Sequence, residues 1–187
     1  MKKSGKYFIV AFLLIAILFN CKKKGKNNIE ACNGDTRRDV KVCIDALTSQ
    51  LDTHAVFTTI TSLGELSVPD VNSETGRLDL EKKIYTVKCK IDKASKERDG
   101  DIHIRLVEGD NYLIAESANP ECDYATGSIY VAAYKKVRDF LTIKDLDVLE
   151  GKEIYITGVA FVDIDHGYKR KQAKNNIELH PILDIHF

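Results

Sequence analysis

Hydrophobic and polar positions change period several times along the chain, and each change predicts an element. Residues 7–19 are uninterruptedly apolar, and a polar stretch follows. From Asp35, a residue suited to cap a helix, Val40, Cys43, Ile44, Leu47 and Leu51 recur every three or four positions, which predicts an N-terminal helix. The signal then weakens: Val56 to Ile60 reads as a short strand, and Pro69 to Gly76 is turn-rich, so residues 53–80 read as a connecting segment. From Lys82 the period becomes two. Tyr85, Val87, Cys89 and Ile91 face one way and Thr86, Lys88 and Lys90 the other, the alternation of a half-buried strand.

Asp99-Gly100 suits a tight hairpin turn, after which Ile102, Ile104 and Leu106 alternate with Asp101, His103 and Arg105 in a second strand. Gly109-Asp110-Asn111 is the next turn, and a third strand runs from Tyr112 to Ser117, before Asn119-Pro120. Ser128 to Leu141 returns to helical spacing, with Ile129, Ala132, Ala133, Val137, Phe140 and Leu141 on one stripe. Strand four is Glu153 to Val162, with Gly158 marking a bend or bulge. Strand five is Ile177 to Phe187, with Ile177, Leu179, Leu183 and Ile185 inward and Glu178, His180, Asp184 and His186 outward. Three strands, a helix and two strands is the order of the OB-fold, so the expected fold is mainly β with helices (α+β): an OB-like five-stranded barrel preceded by an N-terminal helix. An open α+β sheet is the alternative.

Composition adds little to this pattern but excludes several classes. Hydrophobic residues make up 44% of the 187, with three Pro and no Trp, which rules out collagen, low-complexity disorder and a multi-pass membrane protein. Charge is more informative. The formal net charge is zero, but seven lysines precede Ile29 and no acid does, leaving 21 basic residues against 28 acidic ones beyond that point. An acidic domain repels polyanions, so nucleic acid is an unlikely partner.

The apolar run follows Lys2, Lys3 and Lys6 and is too short to span a bilayer, which needs about 20 residues, so residues 1–20 read as an export signal. The run ends Leu18-Phe19-Asn20-Cys21, which resembles the lipobox of bacterial lipoproteins, although Phe19 and Asn20 depart from the small residues usual there. The resemblance implies cleavage before Cys21, acylation of its thiol, and a mature protein anchored to a bacterial membrane by lipid. Two or three acyl chains hold a protein far more firmly than one, at about 0.8 kcal/mol for each buried CH₂. Residues 21–34 then form the lipidated cysteine and a basic tether, 35–81 the N-terminal helix and connecting segment, and 82–187 the barrel domain.

Setting Cys21 aside leaves Cys32, Cys43, Cys89 and Cys122, an even number suited to disulfides in an oxidising compartment. Of the three pairings, sequence proximity favours Cys32–Cys43 with Cys89–Cys122. Three further segments, Asp99-Gly100-Asp101-Ile102-His103-Ile104, Gly158-Val159-Ala160-Phe161 with Asp163 and His166-Gly167, and Asn175-Asn176-Ile177-Glu178-Leu179-His180-Pro181, resemble a set of small, mostly exported bacterial proteins. That resemblance covers roughly residues 84–187 and implies one compact β-domain, without an activity.

Two constellations carry candidate chemistry. His103, Glu116 and His180 fall on outward positions of strands two, three and five, which neighbour one another in an OB barrel; two histidines and a carboxylate suit zinc, iron or manganese. Asp101 and Glu178 share those faces. The loop Tyr168-Lys169-Arg170-Lys171-Gln172-Ala173-Lys174, following His166, lies where OB-folds commonly contact ligands. No G-x-S-x-G elbow, H-E-x-x-H or phosphate-binding glycine loop is present. The expected function is therefore a lipoprotein of the cell envelope, anchored in the bilayer through Cys21. Its barrel is a non-catalytic module, without a cofactor, that binds an envelope protein, glycan or small ligand through Asp101, His166, Lys169, Arg170, Lys171 and Glu178. The alternative is a phosphodiesterase-like, metal-dependent hydrolase using His103, Glu116, His180 and a divalent transition metal.

Overall fold

The computed structural model describes Cys32 and residues 36–167 and 171–187. Its frame is a six-stranded sheet in the order β1-β2-β3-β4-β6-β5, closed by a further pairing of β2 with β5. The strands are β1 (Val56–Thr58), β2 (Ile84–Lys96), β3 (Ile102–Glu108), β4 (Asn111–Ser117), β5 (Glu153–Val162) and β6 (Ile177–His186). β2 is long enough to serve two neighbours: residues 84–90 pair with β5 and residues 90–96 with β3, with a register shift between Ile91 and Lys93. β4 and β6 run parallel, and every other barrel contact is antiparallel. β2 to β6 thus form a closed five-stranded barrel of OB type, with its helices between β4 and β5. β1 adds a short parallel edge strand beside β2.

Among the described residues the α-helices are α1 (Arg38–Lys41), α2 (Ile60–Gly64), α3 (Asp123–Thr126), α4 (Val131–Lys144) and α5 (Leu146–Leu149). Inward residues Ile102, Ile104 and Leu106 of β3 meet Leu113, Ile154, Ile156 and Leu179 in one core, which Val137 and Leu141 of α4 close at one end. Gly158 sits between two register shifts on β5; a Cβ there would stand 2.9 Å from Cβ of Leu179 and 3.0 Å from the Pro181 carbonyl oxygen. The bulge expected at Gly158 is present, and the close approach of β6 is what requires glycine there.

Three expectations change. The N-terminal helix is only one turn, because Cys43 adopts φ 53° and the chain leaves the helix at Val42. Val40 O accepts from the Cys43 N–H at 3.2 Å and from Arg77 Nη2 at 2.8 Å, so a tertiary donor joins the tightened last turn where a longer helix would continue. On α4, Tyr134 is fully buried with its hydroxyl 2.9 Å from Val42 O, whereas Ile129 precedes the helix and is 70% exposed, with Ala132 exposed and Ala133 half-buried. On β6, Glu178 and His180 are buried despite their outward positions, because the segment carrying α1 covers that part of the barrel.

The cysteine pairing also differs: Cys32 is bonded to Cys122, across 90 residues, and Cys43 and Cys89 are free and buried. Proximity failed because α3 brings Cys122 back to the start of the domain. Burial pushes the thiols of Cys43 and Cys89 up to about 11 and about 12, so neither is a nucleophile at neutral pH.

Candidate functional site: a buried histidine between two carboxylates

One cluster joins three barrel strands under the N-terminal segment. Asp101 immediately precedes β3, Glu116 lies near the end of β4, and His180 is central in β6. One donor atom from each lies within 4.8 Å of the other two. His180 Nδ1 is 3.0 Å from Glu116 Oε2, and its Nε2 is 3.6 Å from Asp101 Oδ2. The side chains of His180 and Asp101 are 0% and 1% exposed, and that of Glu116 12%.

Turn chemistry positions the first member. Asp99 Oδ1 accepts from the Asp101 N–H at 3.0 Å across Gly100, whose φ of 93° suits glycine. Asp101 Oδ1 then accepts from the Asn119 N–H at 2.8 Å and from the Tyr124 hydroxyl at 3.2 Å. Arg38 of α1 reaches Asp101 Oδ2 at 3.4 Å and Asp99 Oδ2 at 3.3 Å, with its guanidinium 4.2 Å above the Tyr124 ring. Arg138 of α4 donates to Gly100 O at 2.7 Å, tying the turn to the helix. On the other side, the edge of Phe161 meets His180 with ring centroids 5.8 Å apart, and Lys41 Nζ stands 5.4 Å from the Phe161 centroid.

The electrostatics are tightly balanced. Burial works against a charged His180, but Asp101 and Glu116 outweigh it and raise its pKa to about 9. Burial likewise opposes a charged Glu116, but His180, Lys41 and His103 hold its carboxyl far below the usual range. Glu178 goes the other way: burial, with the charges of Glu116 and Asp163 beside it, pushes it up to about 8.

The structure therefore brings Glu116 and His180 together as expected but puts Asp101, not His103, in the third place. His103 pairs with Glu116 across β3 and β4 and is only half-buried. Asp101 and Glu178, expected as exposed ligand contacts, are buried. His166 is exposed, with Nε2 3.1 Å from Asp163 Oδ2, and Lys171 is exposed, with Nζ 5.0 Å from the centroid of Tyr112. Cys21, Lys169 and Arg170 lie outside the described residues. Arg38, Lys41 and Tyr124 were not anticipated, and no local pattern singles them out, since their roles arise from contacts with distant strands.

No protein-family model matches the chain, and no curated protein matches it. Among solved structures it is similar to asparaginyl-tRNA synthetase of Entamoeba histolytica, at 14% identity and TM-score 0.42 over 72% of this chain and 24% of that one. The same enzyme in complex with asparaginyl-adenylate aligns at 15% identity and TM-score 0.41, over 71% and 23%. Aspartyl-tRNA synthetase of the same organism aligns at 11% and 0.34, over 72% and 25%. The chain spans about a quarter of the length of these proteins.

Proposed function

We propose that this protein is a lipoprotein of a bacterial cell envelope whose OB-like barrel is a non-catalytic binding module. Acylation of Cys21 anchors it, and the lysine-rich residues 22–28 are the tether. The observation that carries the reading is the Cys32–Cys122 disulfide. Such bonds persist in exported proteins and are rare in a reducing cytosol. It also fastens the chain to the barrel only eleven residues beyond Cys21.

The ligand is an envelope protein, glycan or small molecule that meets the loop between β5 and β6. His166 and Lys171 are exposed there, and Tyr112 of the adjoining β4 lies under Lys171. OB-folds commonly bind at this loop and on the neighbouring strands. A hydrolase reading is weaker, because a hydrolytic metal needs an open coordination position and the side chains of Asp101 and His180 are 1% and 0% exposed.

The test is metabolic labelling of the full chain with a radioactive fatty acid, followed by membrane fractionation. Wild type is expected to label and sediment with membranes, and Cys21→Ser to do neither. An unlabelled wild-type chain refutes the anchor. Photo-crosslinking from position 112 in intact cells then captures the ligand, and an unchanged crosslink pattern in Lys171→Glu counts against this loop as the contact.

A further inference from the structure

A buried imidazole ordinarily has a hydrogen-bond partner at each ring nitrogen. Neither nitrogen of His180 has one of adequate geometry, although the side chain is wholly buried. Glu116 Oε2 approaches Nδ1 to 3.0 Å without lining up with the ring N–H, and Asp101 Oδ2 is 3.6 Å from Nε2. One nitrogen of His180 and one oxygen each of Asp101 and Glu116 nevertheless lie within 4.8 Å of one another, three donor atoms gathered around one buried point, as the ligands of a metal ion are.

Charge supports the same conclusion. Asp99, Asp101, Glu116 and Glu178 set four carboxylates around this point against the cations Arg38 and Lys41, while Asp163 and Arg138 cancel farther out. With His180 neutral, as a ligand must be, the carboxylates still outnumber the cations, which favours a cation at this point.

We propose that Asp101, Glu116 and one ring nitrogen of His180 hold a divalent transition-metal ion, zinc, in a closed structural site. Such an ion joins β3, β4 and β6 where the N-terminal segment crosses them. One nitrogen and carboxylate oxygens are ordinary zinc ligands. Burial makes the site structural, and its occupancy stabilises the barrel rather than turning over a substrate. The proposal does not depend on the function proposed above.

The full chain, purified in detergent and stripped with a chelator, is titrated with zinc by calorimetry, and metal content is measured on unstripped protein. Stoichiometric zinc in both measurements is expected, with cobalt giving the intense visible bands of a tetrahedral site. Glu116→Gln and Asp101→Asn are each expected to abolish stoichiometric binding, and His103→Ala to retain it. Stripped wild type that stays folded by circular dichroism but takes up no zinc overturns the proposal. So does zinc uptake unchanged in folded Glu116→Gln. Should the variants fail to fold, nitrogen NMR of wild-type His180 decides: a zinc-dependent shift of a ring nitrogen supports the site, and two protonated nitrogens unaffected by zinc refute it.

Discussion

Two buried charge clusters lie under the same N-terminal segment and are built on opposite terms. In the first, Arg37 and Glu81 form a bidentate pair at 2.7 and 3.0 Å, both side chains 0% exposed. Every remaining group is engaged: Arg37 also donates to Thr75 O, Gly76 O and Val162 O, and Glu81 accepts from the N–H of Leu78 and of Val162. In the second, two carboxylates flank His180, yet neither ring nitrogen makes a well-aligned hydrogen bond. Equal burial with unequal satisfaction separates a clamp from a site. The Arg37–Glu81 pair needs nothing further, whereas the histidine cluster leaves both ring nitrogens of His180 without an aligned partner.

The sharpest way to break the comparison is to cut the clamp. Glu81→Ala leaves Arg37 charged and unpaired, an expected loss of about 3–5 kcal/mol that chemical denaturation will read. Removing the disulfide with Cys122→Ser frees α3, whose Tyr124 orders Asp101, and is expected to cost about 2–4 kcal/mol by the same measurement. A smaller loss than from Glu81→Ala places the disulfide outside the clamp.

Zinc at about a hundred times its dissociation constant is expected to stabilise wild type by about 2.7 kcal/mol, seen as a higher melting temperature. Glu116→Gln should show no such rise. If both proteins respond alike, the two clusters do not differ in the way described.

Acidity sharpens the contrast in metal-free protein. His180 is raised from 6.5 to about 9 and Glu178 from 4.5 to about 8, so the native state binds more protons than the unfolded chain across these ranges. Stability is then greatest at the acidic end and falls as pH rises towards 9. Glu116, held low, acts oppositely, and its contribution is lost only as pH falls through the ordinary carboxylate range. Urea melts between pH 5 and 9 should show the decline, and a shallower one in His180→Asn would trace part of it to the histidine, with Glu178 supplying the rest. The smallest effect is expected for His103→Ala, within about 0.5 kcal/mol, since that half-buried residue touches the histidine cluster only through the charge of Glu116.

The barrel itself was legible. Period-two runs such as Ile102, Ile104 and Leu106 mark strands whatever they pack against, and Asp99-Gly100 marks the turn between two of them. The candidate site was half legible. Alternation correctly set Glu116 and His180 on the outside of neighbouring strands, but a side chain outside the barrel is not thereby in solvent. Nothing in the period of β6 announces that Glu178 and His180 are covered, because the cover comes from residues more than 130 positions earlier. His103 was preferred to Asp101 on ligand type alone, whereas distance across the strands chose Asp101.

By itself, the sequence determined the strand order, the turns, the irregularity at Gly158 and the main helix between β4 and β5, since these rest on local periodicity and on backbone conformations that few residues tolerate. Tertiary structure alone decided that Cys32 meets Cys122, that the N-terminal helix stops after one turn, and that a histidine and two carboxylates are sealed together. Those outcomes depend on which distant segment lies across the barrel. Such contacts are selected by shape and charge over the whole chain, and a local pattern carries no record of them.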